Sequence, residues 1–112
     1  MDFSFNDLNG TLPSEIGRLS MLRSLLVNSN NLSGQIPGEI ANLSRLNTLR
    51  VEENNFTGEV PGEVCEVFYI TYPMFYSDCG MGDLECACCS YCCTDEAGCF
   101  CEYAGTVNEF LC

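Results

Sequence analysis

One eight-residue pattern occurs three times at a single spacing. Asn6-Asp7-Leu8-Asn9-Gly10-Thr11-Leu12-Pro13, Asn30-Asn31-Leu32-Ser33-Gly34-Gln35-Ile36-Pro37 and Asn54-Asn55-Phe56-Thr57-Gly58-Glu59-Val60-Pro61 stand 24 residues apart. A fixed period of this length restricts the fold severely. One unit cannot bury its own apolar edge, so successive units must stack into a quasi-one-dimensional array.

Each column of the repeat has a physical role. Leu19, Leu22, Leu25 and Val27 recur as Leu43, Leu46, Leu49 and Val51. The end of that run alternates with period two, which predicts a short strand. Asn6, Asn30 and Asn54 share a column, and buried amides there satisfy backbone groups that are costly to bury unpaired. Leu8, Leu32 and Phe56 fill the next layer, and Ile16, Ile40 and Val64 return the chain to the core. Gly10, Gly34 and Gly58 allow turn dihedrals that other residues resist. Pro13, Pro37 and Pro61 fix the exit from each turn, and the segments after them, such as 13–19 and 37–43, are long enough for one helical turn only.

The columns L-x-x-L-x-x-L-x-V-x-x-N-x-L-x-G-x-I-P resemble the plant-type leucine-rich repeat, over residues 1 to about 67. The resemblance implies an α/β repeat fold: a right-handed solenoid of 24-residue coils, with parallel strands on the concave face and 3-10 or irregular turns on the convex face. Adding one period to Leu43, Leu46, Leu49, Val51 and Asn54 gives Val67, Ile70, Pro73, Phe75 and Asp78. Residues 67–78 are therefore expected to form a degenerate fourth strand, with Asp78 closing the ladder of Asn6, Asn30 and Asn54. Pro73 suits an edge strand, where its missing donor faces outward. The expected division is a repeat unit over residues 1–78 and a cysteine-rich, irregular cap over 79–112. Met1 falls where Leu25 stands one coil later, so the chain is expected to be a fragment of a longer repeat protein, with Phe3, Phe5 and Leu8 partly exposed.

The composition changes sharply after position 78. Cys79, Cys86, Cys88, Cys89, Cys92, Cys93, Cys99, Cys101 and Cys112 follow it, and only Cys65 precedes it. A short segment with few aliphatic residues cannot build a core, and cross-links are the usual remedy. An even count of ten at this density reads as a disulfide framework whose pairing sequence alone leaves open. Cys65 is expected to tie the tail to the last coil. Two other readings exist. Cys86-x-Cys88 and Cys89-x-x-Cys92 have thiolate spacings seen at zinc or copper sites, and C-x-x-C also serves as a redox pair. Four N-x-[ST] sequons, at Asn9, Asn31, Asn42 and Asn55, favour a secretory route and the disulfide reading. Asn42, on the convex side, is expected to be the most accessible of them. The D-C-G and C-x-C-C-x-x-C-C pattern from Cys79 to Cys93 is similar to the C-terminal region of secreted or membrane-anchored leucine-rich repeat proteins of diatoms and related algae. That likeness implies an extracellular or cell-surface location.

Charge narrows the function. The formal net charge is −12, from 16 acidic and 4 basic residues with no histidine. All four basic residues are arginines at or before Arg50. Such a surface repels nucleic acid and anionic membranes. No apolar run reaches the roughly 18 residues of a membrane span. The chain lacks a Ser-His-Asp set, a phosphate loop and a G-x-S-x-G elbow, so no catalytic residues, cofactor or metal are assigned, and the expectation is a protein that is not an enzyme. Glu52 and Glu53 read as ordinary solvated surface.

The resemblance places partner binding on the concave strand face, and the alternation selects its residues. Ser24, Leu26 and Asn28, then Thr48, Arg50 and Glu52, then Tyr72, Met74 and Tyr76 point outward, in the columns 24/48/72, 26/50/74 and 28/52/76. The competing expectation is that Tyr72, Met74 and Tyr76 pack beneath the cysteine cap. The leading functional reading is an extracellular recognition module for a protein, peptide or glycan. The alternative is a structural or adhesive, cell-wall-associated protein whose acidic surface takes up calcium or mineral.

The cysteine count makes a direct prediction. Secreted material, alkylated before reduction, shows a mass ten hydrogens below the reduced sequence mass and takes up no alkyl groups. Reactive thiols or a bound-metal mass would contradict it.

Overall fold

A computed structural model describes residues 1–78, 84–85, 88–94, 98–103 and 106–107. In chain order the strands are β1 (Asn9–Thr11), β2 (Ser24–Leu26), β3 (Asn31–Gly34), β4 (Thr48–Arg50), β5 (Asn55–Phe56), β6 (Gly58–Glu59), β7 (Met74–Asp78), β8 (Leu84–Glu85), β9 (Tyr91–Thr94), β10 (Gly98–Tyr103) and β11 (Thr106–Val107). Single 3-10 segments span Ser14–Arg18 and Gly38–Asn42, and one α-helix, α1, spans Gly62–Thr71.

The 24-residue period becomes strand register. Ser24, Leu25 and Leu26 lie opposite Thr48, Leu49 and Arg50 in a parallel pair. Isolated pairing of Asp2 with Leu26 continues this sheet toward the N-terminus. On another side of each coil, β1, β3 and β5 form a second parallel sheet. Between them lies the apolar core, including Leu25, Val27, Ile36, Ile40, Leu43, Leu49, Val51 and Phe75. The first coil has a neighbour on one side only, so its columns are half open. Leu19 is 40% exposed where Leu43 is 2%. Phe3, Phe5 and Leu8 are exposed, as the repeat pattern predicts for that coil.

The asparagine column holds the coils together where the chain turns out of the strand. Asn54 Nδ2 donates to the carbonyls of Val27, Val51 and Glu52, at 2.9, 3.1 and 3.3 Å. Its Oδ1 accepts from the Leu32 N–H at 2.9 Å. Asn30 repeats the arrangement with Phe3, Val27, Asn28 and Leu8. Asn6, at the open end, reaches only the carbonyls of Phe3 and Ser4 in its own coil. A second column went unseen in the sequence: Phe5, Ser29 and Glu53 have φ of 55, 58 and 58°. Left-handed backbone is unfavourable for these residue types, and the adjacent asparagine bonds hold it in place. The glycine column behaves as its composition predicts, with Gly10, Gly34 and Gly58 at φ 85, 78 and 79°. Gly17 has a different duty: a methyl group there would stand 2.7 Å from the Glu39 carbonyl oxygen, because the two 3-10 segments stack that closely.

Four expectations for the C-terminal third are corrected. First, residues 67–71 belong to α1 and not to a strand. An α-helix advances about 1.5 Å per residue against about 2.0 Å for a 3-10 turn, so this coil needs more chain. Leu49 therefore faces Phe75, an offset of 26 from the register (75 − 49). Phe68 and Phe75 fill the core, in edge-to-face contact at 5.4 Å, while Ile70 is 77% exposed. Second, Pro73 is outside β7 and buried, following the left-handed Tyr72 (φ 50°) that ends α1. Third, β7 is not an edge: the sheet order is β11-β10-β9-β7-β4-β2. The cap is thus not irregular where it is described. β9 pairs parallel with β7, and β10 folds back antiparallel on β9. Fourth, Asp78 does not continue the ladder. It pairs with Cys93 of β9, and its carboxylate accepts the N–H groups of Glu53 and Asn54. Backbone carbonyls of Glu52 and Glu53 do that service for Ser29 and Asn30 one coil earlier.

The tail is fastened in two ways. Cys65 of α1 is disulfide-bonded to Cys88. Ser90 donates its hydroxyl to the Pro73 carbonyl and accepts from the Phe75 N–H, and its own N–H reaches the Phe75 carbonyl at 2.9 Å. Cys89 and Cys93 are each held in a disulfide as well. Cys88 and Cys89 therefore cannot serve as thiolates in the metal reading of this segment. Cys92, Cys99 and Cys101 lie on β9 and β10, whereas Cys79, Cys86 and Cys112 lie outside the described residues.

The ladder gives a stability contrast. Asn54→Leu strips partners from one N–H and three carbonyls and is expected to cost about 3 kcal/mol, while Asn6→Leu, exposed and bonded within its own coil, costs less than about 1 kcal/mol. Urea titration of the oxidised variants, followed by circular dichroism, measures both.

Candidate functional site

The outward face of the six-stranded sheet is set by alternation along β2, β4 and β7. Leu25, Leu49 and Phe75 point into the core at 1% exposure or less. Leu26, Arg50 and Tyr76 therefore point outward, and register aligns them in one row across adjacent strands. The pairing of Tyr76 with Tyr91 extends the row onto β9. The expected columns are corrected accordingly, by the two-residue lengthening of the α1 coil. They run Ser24/Thr48/Met74 and Leu26/Arg50/Tyr76, so Tyr76 leaves the column of Asn28 and Glu52.

The middle row is a connected set of contacts. The Arg50 guanidinium lies over the Tyr76 ring, 4.3 Å from its centroid. Tyr76 stacks on Tyr91 with centroids 4.2 Å apart and planes 8° from parallel. Arg50 Nε donates to Glu52 Oε1 at 2.7 Å, and the same oxygen forms an ion pair with the guanidinium. A cation held over an aromatic ring by a neighbouring carboxylate has little freedom to swing, so the row is preorganised. Burial, with the neighbouring Tyr91 phenol and the Glu52 carboxylate adding to it, pushes the Tyr76 hydroxyl above its ordinary pKa against the opposing pull of Arg50.

Glu52 departs from its expected place on solvated surface. It is 3% exposed, and Asn28 beside it is 5%. Burial pushes the Glu52 carboxyl above its ordinary value of 4.5, opposed by hydrogen bonds and by Arg50. Asn28 Oδ1 and Glu52 Oε2 are buried without a hydrogen-bond partner. Glu53, by contrast, is exposed and takes a hydrogen bond from the Ser29 hydroxyl.

The other expected face residues separate. Thr48 and Leu26 are half-buried in the sheet surface. Tyr72 is 81% exposed and Met74 44%, so neither packs beneath the cap. Tyr72 caps α1 and lies off the sheet, whereas Met74 is the outward residue at the start of β7. Tyr91, missed at the sequence level, completes the row. The only sequence signal for it was an aromatic residue among cysteines, which does not disclose strand pairing.

The sequons form part of the exposed surface elsewhere. Asn9, Asn31, Asn42 and Asn55 are all exposed. Asn31 and Asn55 are joined, Asn55 Nδ2 donating to Asn31 Oδ1 at 2.6 Å. Asn42 ends the second 3-10 segment and, with Ser14, Glu15, Gly17, Arg18 and Glu39, lines a shallow hollow on that side.

Comparison with known proteins matches residues 21–43 to the Leucine Rich Repeat family model. That stretch runs from the approach to β2 through β3 to the residue after the second 3-10 segment. The chain thus contains a leucine-rich repeat, a unit associated with protein interaction. A search of curated proteins found no match. Among the described residues no helix is long and apolar enough to cross a membrane.

Glu52 supplies a pH test. Its folded-state pKa is raised, so between about 4.5 and that higher value the folded protein holds more protons and gains stability as pH falls. The stability of the parent chain relative to Glu52→Gln is therefore expected to rise from pH 7 toward pH 4.5. Urea midpoints at a series of pH values test the sign, and a flat or falling difference would contradict the burial of an ionised Glu52.

Proposed function

We propose that this protein is an extracellular recognition module without catalytic activity, binding a protein, peptide or glycan through the outward face of its six-stranded sheet. The observation that carries this reading is the row Leu26–Arg50–Tyr76–Tyr91, continuous across four hydrogen-bonded strands. It combines an aliphatic residue, a fixed cation and a stacked aromatic pair. Tyrosine and arginine are the residue types that most often anchor interfaces, because they offer area and hydrogen bonding at low entropic cost.

On this reading the coils form a right-handed plant-type solenoid, with that face concave, over residues 1–78. Strands β9 and β10 of the cysteine-rich segment cap it while extending its sheet. The Cys65–Cys88 bridge and the exposed sequons support a secreted or cell-surface glycoprotein. Bridges of this kind persist in oxidising compartments.

The test is selection of ligands by the oxidised chain from a random peptide display library and a glycan array. Retention of the selected ligands is expected to fall about tenfold on Tyr76→Ala, which removes both the ring under Arg50 and the stack on Tyr91. It is expected to be unchanged on Arg18→Gln, at the end of the first 3-10 segment. Equal retention by both variants would overturn the assignment of the face.

A further inference from the structure

The row accounts for the aromatic and cationic part of the face but leaves the strand ends unexplained. Asn28 and Glu52 stand two residues beyond the Leu26–Arg50 pair, just past the ends of β2 and β4, where the Ser29 N–H donates to the Glu52 carbonyl. Each keeps one oxygen, Asn28 Oδ1 and Glu52 Oε2, buried and without a hydrogen-bond partner. An unpaired buried acceptor ordinarily costs about 1–3 kcal/mol. Two in adjacent positions imply that a donor is missing from the chain alone.

The surroundings define that donor. Amide and carboxylate oxygens accept hydrogen bonds. Glu52, Glu53 and Asp78 against Arg50 leave this end of the sheet with a formal charge of −2 (1 − 3), on a chain of net charge −12. The group required is therefore positively charged and carries N–H bonds. A divalent metal fits less well. Asp78 has both carboxylate oxygens engaged by the N–H groups of Glu53 and Asn54, and Glu52 Oε1 is held by Arg50. Two oxygens then remain against the six to eight that calcium takes.

Accepting the outward face as a recognition surface, we propose that the Asn28–Glu52 acceptor pair receives a lysine or arginine side chain of a basic polypeptide partner. The partner's cation does for Oε2 what the Arg50 guanidinium already does for Oε1. Both acceptors are covered, and the incoming cation meets them beside the fixed Arg50 guanidinium, at the ends of β2 and β4. Tyr76 and Tyr91 supply the aromatic surface on which the cation's stem lies.

The experiment measures the composition of peptides selected from the random display library by the oxidised full chain, at about physiological salt so that weak surface attraction is screened. Each selected peptide is then titrated against the parent chain, Glu52→Gln, Asn28→Ser, Tyr76→Ala and the distant, exposed Glu59→Gln. The proposal expects enrichment in lysine and arginine. It expects Kd to weaken about tenfold for Glu52→Gln and for Asn28→Ser, and less than about twofold for Glu59→Gln. If Glu52→Gln loses its native circular dichroism, Asn28→Ser alone decides. Selected peptides that depend on Tyr76 but lack basic residues, or that ignore both strand-end substitutions, overturn the basic-partner assignment and leave the recognition face standing. Saturable binding of calcium chloride alone, lost in Glu52→Gln, also overturns it. Peptides indifferent to Tyr76→Ala overturn the recognition face itself.

Discussion

The fold depends on satisfying backbone groups where each coil leaves its strand. There the chain turns through a left-handed residue, Ser29 or Glu53, and its carbonyls and N–H groups are carried away from the sheet ladder. Asn30 and Asn54 meet that demand, each tying its own coil to the preceding one through amide hydrogen bonds. An aliphatic residue in this column would bury equal volume and leave the polar groups unpaired. The two ends of the column show the same requirement from opposite sides. Asn6, with no earlier coil beside it, bonds within its own. Asp78, where the next coil is replaced by the cap, presents carboxylate oxygens in place of backbone carbonyls.

With the turns fixed in this way, strand register is transmitted along the sheet, and register is what builds the candidate site. Leu26, Arg50, Tyr76 and Tyr91 come from four separate strands, and no two of them are closer than 15 residues in sequence (91 − 76). The helix Gly62–Thr71 is the decisive element. Its ten residues lengthen one coil, so that Tyr76 rather than Met74 stands beside Arg50. That exchange turns an apolar neighbour into a cation–π contact. The cap adds Tyr91 by continuing the sheet, held in place by Ser90 and by the Cys65–Cys88 bridge. Disulfides and site are thus parts of one construction: the bridge anchors the segment that brings the last ring of the row.

A paired carboxylate beneath this row gives the face its electrostatic character. Glu52 neutralises Arg50 through one oxygen and holds the other, with Asn28, in a covered and acceptor-rich position. Polar groups buried in this manner are expensive in the free protein, and the proposed basic partner would recover that cost on binding. For the proposed basic partner, the acidity of the whole chain would act at longer range, in the rate of arrival.

The sequence by itself determined the period, the core columns and the turns. Leu25, Leu49 and Val51 could be placed inside, and Gly34 and Gly58 at positive φ, because each follows from local stereochemistry repeated at a constant interval. It also identified Cys65 as the cysteine set apart from the rest. Tertiary structure decided everything that depended on a change of interval. Whether residues 62–71 form a 3-10 turn or a full helix is a competition between close local energies, settled by Phe68 and Cys65 packing against the last coil. From that choice follow the two-residue shift of β7 and the ring that lies beside Arg50. The cap strand β9 and its Tyr91 follow from pairing between segments that share no repeat. Periodicity encodes the geometry of identical neighbours; where a neighbour differs, only the packed chain fixes what faces what.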